Sequence, residues 1–137
     1  IALIGSNAFP AFGDAMAAAG DVNGDGYDDL AVRGPRGSSD DGYAYVFTGG
    51  PEGLQRLAVW ELSAPCEDGY SGISLTGAGD LNGDGFDDVA AGQPGNSTSP
   101  SCFGGRVLVF AGRATGISTS PTGTLRTPEN PLHPSAT

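Results

Sequence analysis

A nine-residue stretch occurs twice in this chain, as Asp21-Val-Asn-Gly-Asp-Gly-Tyr-Asp-Asp29 and as Asp80-Leu-Asn-Gly-Asp-Gly-Phe-Asp-Asp88, 59 residues apart. Each copy sets side-chain oxygens at positions 1, 3, 5 and 9 and glycines at positions 4 and 6. Alternate residues such as Asp21, Asn23 and Asp25 can converge only if the backbone coils tightly, and Gly24 and Gly26 permit the dihedral angles of such a coil. Tyr27 would then add its backbone carbonyl and Asp29 would close the shell. Asp80, Asn82, Asp84, Phe86 and Asp88 repeat the arrangement. Carboxylates gathered this closely repel one another without a cation. Oxygen-only ligation with no Cys or His nearby selects calcium over zinc or copper, and magnesium prefers fewer protein ligands and more water. The expectation is two Ca2+ sites. A turn rich in Asp, Asn and Gly that binds nothing is the alternative, and the repetition argues against it.

The residues after each loop separate this arrangement from an EF-hand, which needs a bidentate Glu at position 12 and flanking helices. Position 12 is Val32 in one copy and Ala91 in the other. Leu30-Ala-Val32 and Val89-Ala-Ala91 run into Gly/Pro turns, too short for a helix and suited to a buried strand. A dockerin-like helical setting is set aside on the same ground. Across the whole chain, 24 glycines and 10 prolines break every helical period, while short Val/Leu/Tyr/Phe runs recur between turns. An all-β chain is predicted.

Internal repetition extends beyond the loops. A shift of 59 aligns Gly13 with Gly72, Met16 with Leu75, Gly20-Asp21 with Gly79-Asp80 and Pro35 with Pro94. Past that proline the shift becomes 63, aligning Tyr43-Ala-Tyr-Val-Phe47 with Arg106-Val-Leu-Val-Phe110, Gly53-Leu54 with Gly116-Ile117 and Leu62 with Leu125. The extra residues fall in a loop, where insertion costs little. Each repeat reads as a four-stranded antiparallel unit, with strands expected near 13–20, 28–33, 43–48 and 57–62, then 72–79, 87–92, 105–111 and 123–127. Ile1-Ala-Leu-Ile4 matches Trp60-Glu-Leu-Ser63 and is expected to be the fourth strand of a preceding unit. The expected division is 1–5, a strand completing an adjacent unit; 12–63 and 64–128, the two repeats; and 129–137, an irregular tail with two prolines.

Phe12-Gly13, Ala19-Gly20-Asp21 through Asp29, Leu30-Ala-Val32, Pro35 and Gly42-Tyr-Ala-Tyr-Val-Phe47 closely resemble an FG-GAP repeat, the blade unit of integrin α-subunit β-propellers and of many bacterial surface proteins. The second copy shares the pattern from Gly72 to Phe110. The resemblance implies propeller blades whose first interstrand loop binds calcium through positions 1, 3, 5 and 9 and the carbonyl of position 7. It also implies a rim, opposite the calcium loops, that faces protein partners. The chain departs from the pattern at Ser71-Gly72, which replaces Phe-Gly, and at Arg33-Gly34 and Gly92-Gln93, which replace Gly-Ala before the proline. A closed propeller takes roughly four to eight blades, so two blades imply a homo-oligomer or other blades of the same protein, joined through unpaired edges. Ile1–Ile4 is the segment expected to complete a neighbour's sheet.

Charge and the remaining residues narrow the function. Sixteen acidic residues against six arginines give a net charge of −10, and two bound calcium ions would reduce it to about −6. Nucleic acid and anionic membrane are thereby disfavoured as partners. No apolar run nears the roughly 20 residues that cross a bilayer, so no membrane insertion is expected, and no signal peptide is legible. The chain begins at Ile1 rather than Met, which reads as a processed or excised piece. Loops of few ligands suit millimolar calcium, hence an extracellular, cell-surface or periplasmic location.

Cys66 and Cys102 are expected at one end of the second repeat, opposite its calcium loop, and to form a disulfide that closes a loop worth roughly 3.5–4 kcal/mol. Two free thiols are the alternative. Asn96-Ser-Thr98 is a glycosylation sequon in the same loop. His133, the lone histidine, can build neither a triad nor a zinc site. Asp28 and Asp87, at loop position 8, are expected to be solvated neighbours of the metal. Trp60, Tyr43, Tyr45 and Phe47 read as packing residues, and Arg33 and Arg36 beside Asp40-Asp41 as a surface loop open to a partner.

A non-catalytic calcium-binding module for adhesion or self-assembly is the leading expectation. A carbohydrate-binding, lectin-like propeller is second, with Tyr70 its exposed aromatic and a glycan its ligand. An enzyme is disfavoured because no nucleophile and base pair is legible.

Overall fold

The computed structural model describes residues 12–13, 15–36, 39–55, 60–63, 74–93, 105–118 and 120–126, with backbone alone at 35–36, 39–43 and 60–63. Ile1–Ile4, Cys66, Tyr70, Asn96–Thr98, Cys102, His133 and the 129–137 tail lie outside the described residues, as do the side chains of Arg36, Asp40, Asp41, Tyr43 and Trp60.

Two four-stranded antiparallel sheets form where the repeats predict them. The first contains β1 (Met16–Gly20), β2 (Asp29–Arg36), β3 (Ser39–Phe47) and β4 (Trp60–Ser63) in that spatial order. The second contains β5 (Ser74–Gly79), β6 (Asp88–Gln93) and β7 (Arg106–Phe110). A two-residue hairpin follows, β8 (Gly112–Arg113) with β9 (Gly116–Ile117), before β10 (Gly123–Leu125) pairs with β7 to complete the sheet. Among the described residues, the chain is all-β, and its sheets are the propeller blades of the repeat pattern.

Differences from the sequence reading are local. β2 continues through Pro35 to Arg36, and β3 begins at Ser39, so the connection is shorter than the loop expected there. Pro35 fits because β1 reaches only Val32 on that flank, leaving the end of β2 without a strand partner on one side; a register shift follows between Pro35 and Arg36. β1 starts later than expected, at Met16.

Both sheets contribute to one core. Ala19, Val22, Ala31, Ala44 and Val46 from the first blade meet Val89, Ala91, Leu108, Phe110 and Ile117 from the second, with Leu75 packed against them. Among the described residues, Phe110 is the largest fully buried side chain, and burying one such side chain is worth about 1.5–3 kcal/mol. Small residues set the inter-blade distance: a Cβ at Gly77 would strike the Ala18 carbonyl, so only glycine lets β5 approach β1. Phe12 of the Phe-Gly pair stacks edge-on against Tyr45 and Phe47, at ring distances of 6.0 and 6.3 Å, and covers Gly34. Tyr45 and Phe47 are thus packing residues, as their alternation predicted.

Candidate metal centre

Each nonapeptide follows the first strand of its blade, β1 or β5, and turns on left-handed glycines. Gly24 and Gly26 have φ of 70° and 87°, and Gly83 and Gly85 have 73° and 90°. The coil aims amide groups inward at the acidic side chains. Asp21 accepts from Asp25 N at 3.1 Å through Oδ1 and from Gly26 N at 2.8 Å through Oδ2. Asp25 Oδ1 accepts from Tyr27 N at 2.9 Å, and Asn23 Nδ2 donates to Asp25 Oδ2 at 3.1 Å. The second loop repeats the scheme: Asp80 accepts from Gly83, Asp84 and Gly85, Asn82 from Asp84, and Asp84 from Phe86.

Position 9 does more than close a loop. Asp29 is buried and accepts from Val22 N at 2.7 Å and Gly49 N at 2.8 Å. Asp88 accepts from Leu81 N at 2.9 Å and Gly112 N at 3.0 Å. Each carboxylate ties the start of its loop to the turn after the blade's third strand. Sequence reasoning missed this strap, although Gly49 and Gly112 obey the same shift of 63. Both glycines are required, since a Cβ would strike the backbone carbonyl of Asp28 at the first and of Asp87 and Val22 at the second.

Position 8 differs between the blades. Asp28 is exposed, as expected. Asp87 is not simply solvated: its Oδ2 accepts from Asp21 N at 2.8 Å, and its own N–H donates to Asp21 O at 3.0 Å. These bonds cross from one blade to the other. Phe86 accompanies them, its ring lying over Gly24.

The electrostatics of the two loops have separate causes. Burial above all pushes the Asp29 carboxyl up, and the charges of Asp25 and Asp21 add to the push against the opposing amide bonds from Gly49 and Val22. The amide bond from Gly85, chiefly, holds Asp80 below the usual carboxylate range, with Asp84 and Gly83 assisting against slight desolvation. Among the described residues, no three acidic, His or Cys side chains converge as a ready-made metal cage; the loop carboxylates are turned onto backbone amides. The donor set is nevertheless hard and oxygen-only, and the mutual field of Asp21, Asp25 and Asp29 is one that a cation would relieve.

Outside the loops, Arg106 Nε donates to Gln93 Oε1 at 2.7 Å, while buried Gln93 Nε2 has no partner. Arg106 is pushed down by burial and by Arg126 nearby. No described helix is long and apolar enough to cross a membrane.

Comparison with known proteins identifies the repeats. The family model described as FG-GAP repeat matches residues 12–47 and 71–110. Integrin alpha pat-2 of Caenorhabditis elegans is 38% identical over 98 residues, covering 67% of this chain and 8% of its own length. Integrin alpha-PS5 of Drosophila melanogaster is 39% identical over 90 residues, covering 61% and 9% respectively. Integrin alpha-IIb of Mus musculus is 35% identical over 127 residues, 85% of this chain and 12% of its own length. The chain therefore spans about a tenth of these relatives.

Proposed function

The chain belongs to the FG-GAP repeat family, and from that premise we propose that it is a non-catalytic, calcium-binding β-propeller module of an extracellular or cell-surface protein, serving adhesion or assembly. Asp21, Asn23, Asp25, the Tyr27 carbonyl and Asp29 would hold one ion, and Asp80, Asn82, Asp84, the Phe86 carbonyl and Asp88 the other. Each ion would neutralise a knot of carboxylates and lower the free energy of the folded blade. One observation carries the reading: two loops of matching backbone geometry present only oxygen donors, and in the first the charges of Asp21 and Asp25 bear on the carboxyl of Asp29. The relatives support the adhesion setting through their names as integrin α-subunits. No described residue favours a sugar platform, so the lectin-like reading is not pursued. A Cys66–Cys102 disulfide belongs to the same secreted setting, and thiol titration with and without reductant tests it.

Calorimetric titration of chelator-stripped protein with calcium tests the proposal. Two ions per chain are expected, with Asp25→Ala and Asp84→Ala each removing one. Saturation at about 100 times Kd should add about 2.7 kcal/mol of stability per site. No binding heat, together with a melting temperature indifferent to calcium, would sink the reading.

A further inference from the structure

The two acidic loops are joined to each other, and the join falls on candidate ligands at one end and between them at the other. Asp87 Oδ2 accepts from Asp21 N at 2.8 Å, and Asp87 N donates to Asp21 O at 3.0 Å. The backbone of Asp21 is thus held at both its N–H and its C=O. Asp21 is the first candidate ligand of loop 1. Asp87 stands between the last two of loop 2, the Phe86 carbonyl and Asp88. The Phe86 ring makes a second contact, over Gly24 at the turn of loop 1. The approach is close, since a Cβ at Gly20 would strike the Asp87 carboxylate and one at Gly24 the Phe86 ring. Val22, which follows Asp21, is fully buried. Asp28, at the position of loop 1 that matches Asp87, is exposed.

We infer that the two cation sites are energetically coupled through Asp87, an ion in loop 2 raising the affinity of loop 1. By linkage an ion in loop 1 raises the affinity of loop 2 by the same factor. The inference rests on the calcium reading above. To hold its ion, loop 2 must gather the Phe86 carbonyl and the Asp88 carboxylate into one shell, and planar peptide units leave Asp87 little freedom between them. Asp87 then fixes the backbone from which Asp21 projects, so loop 1 meets its ion with part of its ordering already done. Repulsion between the ions works against the coupling, and the Asp87 carboxylate, a negative charge set at the join, works against that repulsion. Asp87 is a positioning residue that acts on the neighbouring loop's backbone, not a ligand.

Calcium titration calorimetry of the chelator-stripped whole chain tests it through a coupling factor. That factor is the parent's overall affinity for two ions divided by the product of two single-site affinities, those of Asp84→Ala, which keeps loop 1, and Asp25→Ala, which keeps loop 2. A factor within the roughly 5–150-fold range typical of coupled sites is expected. Asp87→Ala, introduced into all three proteins, should bring the factor close to one. Asp87→Asn, which retains a side-chain acceptor for the Asp21 amide, should preserve the coupling, and Asp28→Ala should leave it unchanged. In Asp25→Ala, calcium bound to loop 2 should also slow hydrogen exchange at the Asp21 amide, and should cease to do so once Asp87→Ala is added. Two ions bound by the parent with a factor of one would overturn the coupling and leave the calcium reading standing. A factor that Asp87→Ala does not change, or that Asp87→Asn fails to preserve, would overturn it too. A chain that binds no calcium would overturn both readings.

Discussion

The two calcium-type loops share their spelling, turn glycines and internal hydrogen bonds, yet they live in different surroundings. Loop 1 is roofed by blade 2: its Val22 is buried, its Asp21 amide is engaged, and Gly24 lies under a phenyl ring. Loop 2 has no such roof among the described residues, and Leu81, Asp80 and Gly83 are exposed. A local motif thus dictates local geometry, while a neighbouring blade decides what each residue is worth. The comparison can be broken or sharpened by paired substitutions.

The largest effect belongs where the loops agree. Asp29→Ala orphans two buried amides, and Asp88→Ala one buried and one part-buried amide, at about 1–3 kcal/mol per buried group, so urea denaturation in chelator should show losses of at least about 2 and about 1 kcal/mol. A large loss at one position and none at the other would show that the straps are not equivalent. Next come the positions where the loops differ. Val22→Ala should cost about 2 kcal/mol by emptying the inter-blade core, whereas Leu81→Ala should change the stability of the single chain by no more than about 0.5 kcal/mol. Equal losses would mean that the blades do not pack as described.

Gly20→Ala and Gly79→Ala share a left-handed penalty of roughly 1–2 kcal/mol, but Gly20→Ala should cost more because its methyl meets Asp87. Adding Asp87→Ala should narrow the gap in thermal melts.

The smallest effect is acid sensitivity. A carboxyl raised in the folded state, as Asp29 is, favours folding below its ordinary pKa and loses that contribution as pH rises through the raised value. Ionised Asp29 is therefore a net cost at neutral pH, offset only in part by its two amide bonds, that calcium would relieve. As pH falls through the raised value, protons should compete with calcium at loop 1, at about tenfold in affinity per unit. Asp80 has the opposite sign: its lowered pKa contributes stability above the ordinary value, lost as pH falls through the lowered one. Calcium titrations of Asp84→Ala, which isolates loop 1, and Asp25→Ala, which isolates loop 2, over mildly acid pH would separate the two.

Much of the fold was legible because its signals are local or periodic. Turn glycines at fixed offsets, short apolar runs and the 59-then-63 shift placed the strands within a few residues, since strand length and turn chemistry follow from neighbours in sequence. The β8–β9 hairpin escaped because two-residue strands leave no alternation to read. Pro35 inside β2 escaped because a proline argues against a strand unless one flank is known to be free.

The amino-acid sequence alone determined the two loops, their oxygen donors and glycines, the all-β blades and the repeat that relates them, because a coil of nine residues and a four-stranded meander are specified by spacing. Only the tertiary structure decided that Asp87 bonds across to Asp21 while Asp28 stays exposed, that Val22 is core while Leu81 is surface, and that Asp29 and Asp88 strap their blades. Those outcomes depend on which blade lies beside which, and identical residues in a repeat carry no record of their neighbour.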